Sequence, residues 1–293
     1  MAETAAPRAA ITNIMVMTDF SPASEVALRY AAGWARRLHA TVQVVHFMRP
    51  ASYSLAGDAY GQLMEQLWKD SQEGLDAIEA GEVLSGVAHA TRLHPGDIWD
   101  GLPALVTEYG IDLIVLATTG RTGLSKVMLG STAETVFRTM PCPVLVLGPG
   151  AGAYASFEVP RSVLLAIDIG AATPGAVRHA VALTEAAGAS LHALYVLPPT
   201  DEAYTPGVAA AEHAEARLRA LLASESSPVA ARAKLFVRFG HPAEEILACA
   251  RAVAADVIVL GARRPPKLAF YTGWATAYQV MGHAPCPVLT VRE

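Results

Sequence analysis

The chain is written twice. Asp112-Leu-Ile-Val-Leu-Ala117 returns as Asp256-Val-Ile-Val-Leu-Gly261, and Pro141-Cys-Pro-Val-Leu145 returns as Pro285-Cys-Pro-Val-Leu289. Earlier in each copy an apolar run ending in aspartate, Ile14–Asp19 or Val163–Asp168, leads to a hydroxyl residue and a proline, Ser21-Pro22 or Thr173-Pro174. Asp19 maps onto Asp168 and Pro50 onto Pro199 at one constant offset, while Asp112 onto Asp256 and Cys142 onto Cys286 share a second offset. The second offset is shorter by about five residues, so the second copy has lost that much between its second and fourth strands, where loops and one helix vary. Agreement in register over this length is an internal duplication. The fold must therefore be one that half the chain can build alone and then build again.

The periodicity says which fold that is. Continuous Val/Ile/Leu runs alternate with helical stretches, the pattern of a parallel sheet covered on both faces. The first copy holds strands over 12–18, 41–47, 88–94, 112–117 and 143–147. The expectation is an α/β protein of two tandem open five-stranded parallel-sheet domains with helices on both faces, residues 1–150 and 151–293. The Gly/Pro/Ala-rich stretch 148–161 reads as the linker. Val26, Tyr30, Trp34 and Leu38 recur at helical spacing after Ser21-Pro22, and Thr173-Pro174 is an N-cap with proline where helices tolerate it. A helix is expected around 61–80, after a loop over 49–62 that follows a strand's carboxyl end and serves either as a flap over a ligand or as a plain connector. Trp34 and Trp68 are expected in the core.

At 293 residues the chain can bury two cores, and 53% hydrophobic against 17% charged residues marks a packed chain rather than a disordered one. A formal net charge of −5 weighs against a nucleic-acid partner. The 3 cysteines, without close spacing, fit a reducing compartment and no disulfide framework. The N-terminal residues lack the pattern of a signal peptide, and no run approaches a membrane span, so a cytoplasmic protein is expected.

One loop carries chemistry. After the fourth strand come Thr118-Thr-Gly-Arg-Thr-Gly123 and then Gly130-Ser131 at the start of a helix. Free backbone N–H groups and the positive end of a helix dipole converge at such a place and favour an anion. Gly120 and Gly130 let the main chain approach a phosphate without a Cβ, Ser131 and Thr132 add hydroxyls, and Arg121 brings charge. The plainer alternative is a tight turn whose glycines serve packing alone. In the second copy Arg264 stands under Gly120, Trp274 under Gly130 and Ala275 under Ser131, and Pro265-Pro266 removes two donors. Arg263-Arg264 is either a replacement anion clamp or a solvated turn.

With strand, loop and duplication together, the chain resembles the universal stress protein family, in its tandem two-domain form, over residues 11–147 and 161–292. The family pattern Gly-x2-Gly-x9-Gly-Ser/Thr is matched here as Ala117-x2-Gly120-x9-Gly130-Ser131, with alanine at the first position. The resemblance implies a Rossmann-like nucleotide-binding fold and ATP in the first domain, with Mg2+ as its accompanying ion. It implies a site of Met17, Asp19, Phe47, Ala117, Thr118, Thr119, Gly120, Arg121, Thr122, Gly123, Gly130, Ser131 and Thr132. Asp19 would lie at the adenosine end and the backbone near Phe47 would border the base. Because Asp168 persists in the degraded copy, capping or turn formation is an equal reading of Asp19. The family also implies that the last strands, Val144–Leu147 and Val288–Val291, pair within the chain; association of two chains is left open.

Nine histidines, among them His39, His46, His94, His192 and His283, show no pair at metal-ligand spacing, and His46 reads as a hydrogen-bonded core residue. No nucleophile elbow is present. Three functions follow from these residues: an ATP-binding stress or energy-state sensor acting on a regulatory protein partner, a nucleotide-independent scaffold, or a slow ATPase, with hydrolysis not expected as the main role.

Overall fold

The computed structural model describes residues 10–48, 58–118, 131–149, 160–168, 174–199, 208–262 and 273–292. Two compact units emerge, one over Thr12–Val159 and the other containing Pro160–Glu293.

In the first unit the order is β1 (Asn13–Met17), α1 (Pro22–Leu38), β2 (Thr41–Met48), α2 (Asp58–Ala80), β3 (His89–Pro95), α3 (Ile98–Glu108), β4 (Leu113–Ala117), α4 (Ser131–Thr139) and β5 (Val144–Leu147). The strands lie side by side as β3-β2-β1-β4-β5, each pair parallel. The second unit repeats the plan with β6 (Ser162–Ile167), α5 (Pro174–Ala187), β7 (Ser190–Leu197), α6 (Val208–Ala223), the short α7 (Pro228–Ala231), β8 (Lys234–Phe239), α8 (Pro242–Ala252), β9 (Val257–Ala262), α9 (Gly273–His283) and β10 (Val288–Arg292). Its parallel order is β8-β7-β6-β9-β10. The five strands expected in the first half all form, with ends within a residue of those read from the sequence.

The central strands are buried on both faces: Ile14, Met15, Val16, Leu113, Ile114 and Val115 have no exposed surface. That is why these runs are apolar throughout rather than alternating. Helix α1 begins where its cap dictates. Ser21 accepts a hydrogen bond from the Ser24 N–H at 3.3 Å, and Pro22 occupies the first helical position. It ends at His39, whose left-handed φ of 55° closes the last turn. Its buried stripe runs through Ala27, Ala31, Trp34 and Ala35, with Trp34 only 1% exposed. Trp68 departs from expectation: it is 42% exposed on α2. Helical spacing puts it beside apolar neighbours, but on the flank that turns away from the sheet.

The repeated aspartates Asp112 and Asp256 have a structural reason. Asp112 Oδ2 accepts from the Thr12 N–H at 2.9 Å and its hydroxyl at 2.8 Å, and Oδ1 accepts from the Asn13 N–H at 3.1 Å. Asp256 accepts from the Arg161 and Ser162 N–H groups at 2.8 and 2.9 Å. In each unit the carboxylate ties the start of the central strand to its neighbour. A glycine is repeated for a backbone reason: Gly96 and Gly240 take φ of 105° and 142° and donate to Met48 and Leu197 carbonyls, both at 3.1 Å.

Candidate functional site

Strand order reverses between β1 and β4, since chain order runs outward from β1 to β3 on one side and from β4 to β5 on the other. In open parallel sheets the crevice beyond the carboxyl ends at such a reversal receives ligands. Register places the expected residues there. Val16 pairs with Val115, so Met17, Thr18 and Asp19 leave the sheet beside Ala117 and Thr118. Phe47 lies one residue before the end of β2 next door, where Val45 pairs with Met17. Helix α4 joins the parallel strands β4 and β5, so its first turn, with Ser131 and Thr132, returns to the same end of the sheet. Thr119, Gly120, Arg121, Thr122, Gly123 and Gly130 lie outside the described residues, as do Arg263, Arg264, Pro265 and Pro266.

Asp19 stands exposed at the crevice mouth. One oxygen accepts from the Ser21 N–H at 3.0 Å, bending the chain into α1. Partial burial pushes its carboxyl up, but hydrogen bonds from Ser21 and Ser24 outweigh that and hold it below the ordinary value. Asp19 is thus both a turn-former and an ionised carboxylate facing out. Behind it, Thr18 is buried, donates its N–H to the Val45 carbonyl at 2.9 Å, and shares a hydroxyl contact of 3.1 Å with Ser24.

Ala117, the departure from the family pattern, closes β4 opposite Leu147. It is not among the positive-φ residues, so the backbone there does not demand glycine. Thr118 is more constrained than expected. Its N–H and its hydroxyl both donate to the Leu147 carbonyl, at 2.9 and 3.3 Å, leaving only hydroxyl lone pairs for a ligand.

His94, which the sequence places at no metal-ligand spacing, and Gly101 join the site's flank. His94, at the end of β3, packs its ring 5.0 Å from Phe47. Both rings press on Gly101 of α3, where a Cβ would lie 2.5 Å from His94 Cε1 and 2.8 Å from Phe47 Cε1. His94 Nδ1 is buried without a hydrogen-bond partner. In the second unit the same places hold Arg238 and Glu245, an ion pair at 3.3 Å, with Val196 under Phe47. An aromatic pair over a glycine has been replaced by a salt bridge. The clue was legible as Gly101 against Glu245, but only register between the copies makes it one.

On the other face His46 behaves as expected, with Nδ1 2.8 Å from the Thr18 carbonyl oxygen. The second unit's crevice keeps Asp168 exposed at the end of β6 and places Tyr195 where His46 stands. Burial and the charge of Asp168 push the Tyr195 phenol up, opposed by Arg217. Among the described residues no group of three metal-ligating side chains converges, and no helix is long and apolar enough to cross a membrane.

A profile of the universal stress protein family matches residues 10–148 and 160–292, once per unit. A universal stress protein of Methanocaldococcus jannaschii is 31% identical over 136 residues, 46% of this chain and 80% of that protein. Among solved structures, a universal stress protein from Archaeoglobus fulgidus superimposes with a TM-score of 0.68 at 20% identity, covering 96% of this chain and 98% of that one. A functionally unknown protein from Pseudomonas aeruginosa PAO1 does so with 0.62 at 20% identity, covering 97% and 94%. These two likenesses speak to the fold.

Proposed function

The chain belongs to the universal stress protein family, and from that premise we propose that its N-terminal domain binds ATP and reports stress or energy state to a protein partner. The observation that carries the reading is the convergence at one strand reversal: Asp19 after β1, Phe47 at the end of β2, Ala117 at the end of β4 and the first turn of α4. The residues fit a nucleotide triphosphate. An ionised, exposed carboxylate suits ribose hydroxyls or an accompanying Mg2+, and a helix N-terminus suits phosphate. Asp19 would take the ribose end, main chain at Met17 and Phe47 the base, and Gly120, Gly130, Ser131 and Thr132 the phosphates.

Nucleotide binding is assigned to this half alone. The second loop carries Trp274 and Ala275 where the first has Gly130 and Ser131, and the flank of its crevice is occupied by the Arg238–Glu245 pair. The proposed role is occupancy rather than turnover; slow hydrolysis of bound ATP is compatible with it and sustained turnover is not.

The test is mass spectrometry of small molecules released by acid from the purified protein, with calorimetric titration of ATP and Mg2+ into wild type and Gly130→Trp. One ATP per chain in wild type and none in the folded variant is the expected result. Wild type that stays empty at millimolar ATP refutes the reading and leaves a scaffold whose function lies with its partners.

A further inference from the structure

A second cavity adjoins the nucleotide crevice, sharing Thr18 with it and reaching it through Phe20 and Ser21, the residues that follow Asp19. It is a cleft of about 500 Å3 between α1 and α2 on the outer side of the first unit's sheet, within the size range of small-molecule sites. Leu28 of α1 and Ile78 of α2 give it an apolar interior, and the small residues Gly74 and Ala77 of α2, with Gly81 just after it, leave the space open. The roof is Phe20, whose ring lies over Gly74 and 4.5 Å from the His46 ring, and which remains 40% exposed.

Among the described residues the ionisable side chains that line the cleft are Glu25 on α1 and Asp70 on α2, one carboxylate on each wall. Arg29, one turn along α1, pairs with Glu25, while Asp70 accepts a hydrogen bond from the neutral Gln66 amide at 2.6 Å. An apolar interior, an exposed aromatic face and a carboxylate at the rim together complement an organic cation with a hydrocarbon body: the body takes the interior, and the ammonium takes Asp70 and the ring face. A carboxylate or phosphate ligand would be repelled at the Asp70 wall, where the carboxylate's recorded partner is the neutral Gln66 amide.

We propose that this cleft is a second ligand site, adjoining the nucleotide crevice, which takes a small protonated amine carrying an aromatic or aliphatic body. The positive φ of Phe20, 60°, is part of its construction. That conformation aims the ring across the cleft and is held by the Phe20 N–H donating to Thr18 Oγ1 at 3.0 Å.

The test compares three probes with one body and different heads: phenethylammonium, 3-phenylpropanol and 3-phenylpropionate, each titrated to about 20 mM into the full chain and followed by amide chemical shifts. The ammonium should bind, with shifts confined to Phe20–Leu28 and Asp70–Val83, and the carboxylate should bind at least about tenfold more weakly. Asp70→Asn should weaken the ammonium by about threefold to tenfold. Ala77→Phe, at an exposed helix position that tolerates it, fills the cleft and should abolish binding while leaving the circular dichroism unchanged. Absence of ammonium binding, equal binding of the carboxylate, or binding that survives Ala77→Phe in the folded protein each overturns the proposal.

Discussion

Gly101→Ala sets two well-measured effects against each other, and the structure decides between them. Alanine in a helix interior is favoured over glycine by about 0.5–1 kcal/mol. At Gly101, however, the added Cβ would lie 2.5 Å from His94 Cε1, 2.8 Å from Phe47 Cε1 and 3.0 Å from His94 Nδ1. Ordinary carbon contacts are near 3.5–4.0 Å, so two rings in tilted contact must both withdraw. Overpacking of this kind costs about 1–3 kcal/mol, and the net expectation is a loss of about 1–2 kcal/mol. Gly61 in α2 is the control, since a Cβ there meets nothing within 4 Å; Gly61→Ala should gain about 0.5–1 kcal/mol. The assay is urea unfolding followed by tryptophan fluorescence, which reports mainly the first unit because Trp34, Trp68 and Trp99 lie in it and only Trp274 in the second. Adding His94→Ala should recover part of the Gly101→Ala loss, with a coupling of about 0.5 kcal/mol or more. If Gly101→Ala is as stable as Gly61→Ala, the rings are not wedged on that glycine and the reasoning fails.

Asp112→Ala removes the acceptor for the Thr12 and Asn13 backbone and should cost about 1–2 kcal/mol in the same unfolding experiment; an unchanged midpoint would show that the tie is dispensable. Burial pushes Cys142 and Cys286 up to about 12, so at pH 8 both should resist a thiol reagent in the native protein and react on unfolding; rapid native labelling would contradict this. An unfolded thiol titrates near 9.0 and the folded ones near 12, so their contribution is intact below pH 9 and is lost as pH rises through that window. A stability that climbs between pH 9 and 11 would refute it. Gly130→Trp should abolish ATP binding at the proposed N-terminal site without unfolding the chain, read by calorimetric titration.

Much of the architecture needed no coordinates. Continuous apolar runs such as Leu113–Leu116 can satisfy burial on both faces only in a covered parallel sheet, and the duplication fixed that there are two of them. Ser21-Pro22 marked the start of α1 because capping is a local matter of adjacent backbone. The candidate site was legible only as far as local geometry reaches: which residues end strands and which open a helix. Trp68 was misjudged because periodicity places a residue on a helix face but does not say how far the sheet extends beneath it.

The repeat, the element order and the residues of one candidate anion loop could be read without coordinates, because all are encoded in residues near one another in the chain. Tertiary structure alone decided that Asp112 anchors the strand that opens at Asn13, that both Thr118 donors belong to Leu147, and that the first unit seats His94 and Phe47 on Gly101 where the second seats Arg238 on Glu245. Each of these depends on the register of strands that meet only when the sheet assembles, and hydrogen bonds and ring contacts are settled by distances of tenths of an ångström between residues far apart in the chain.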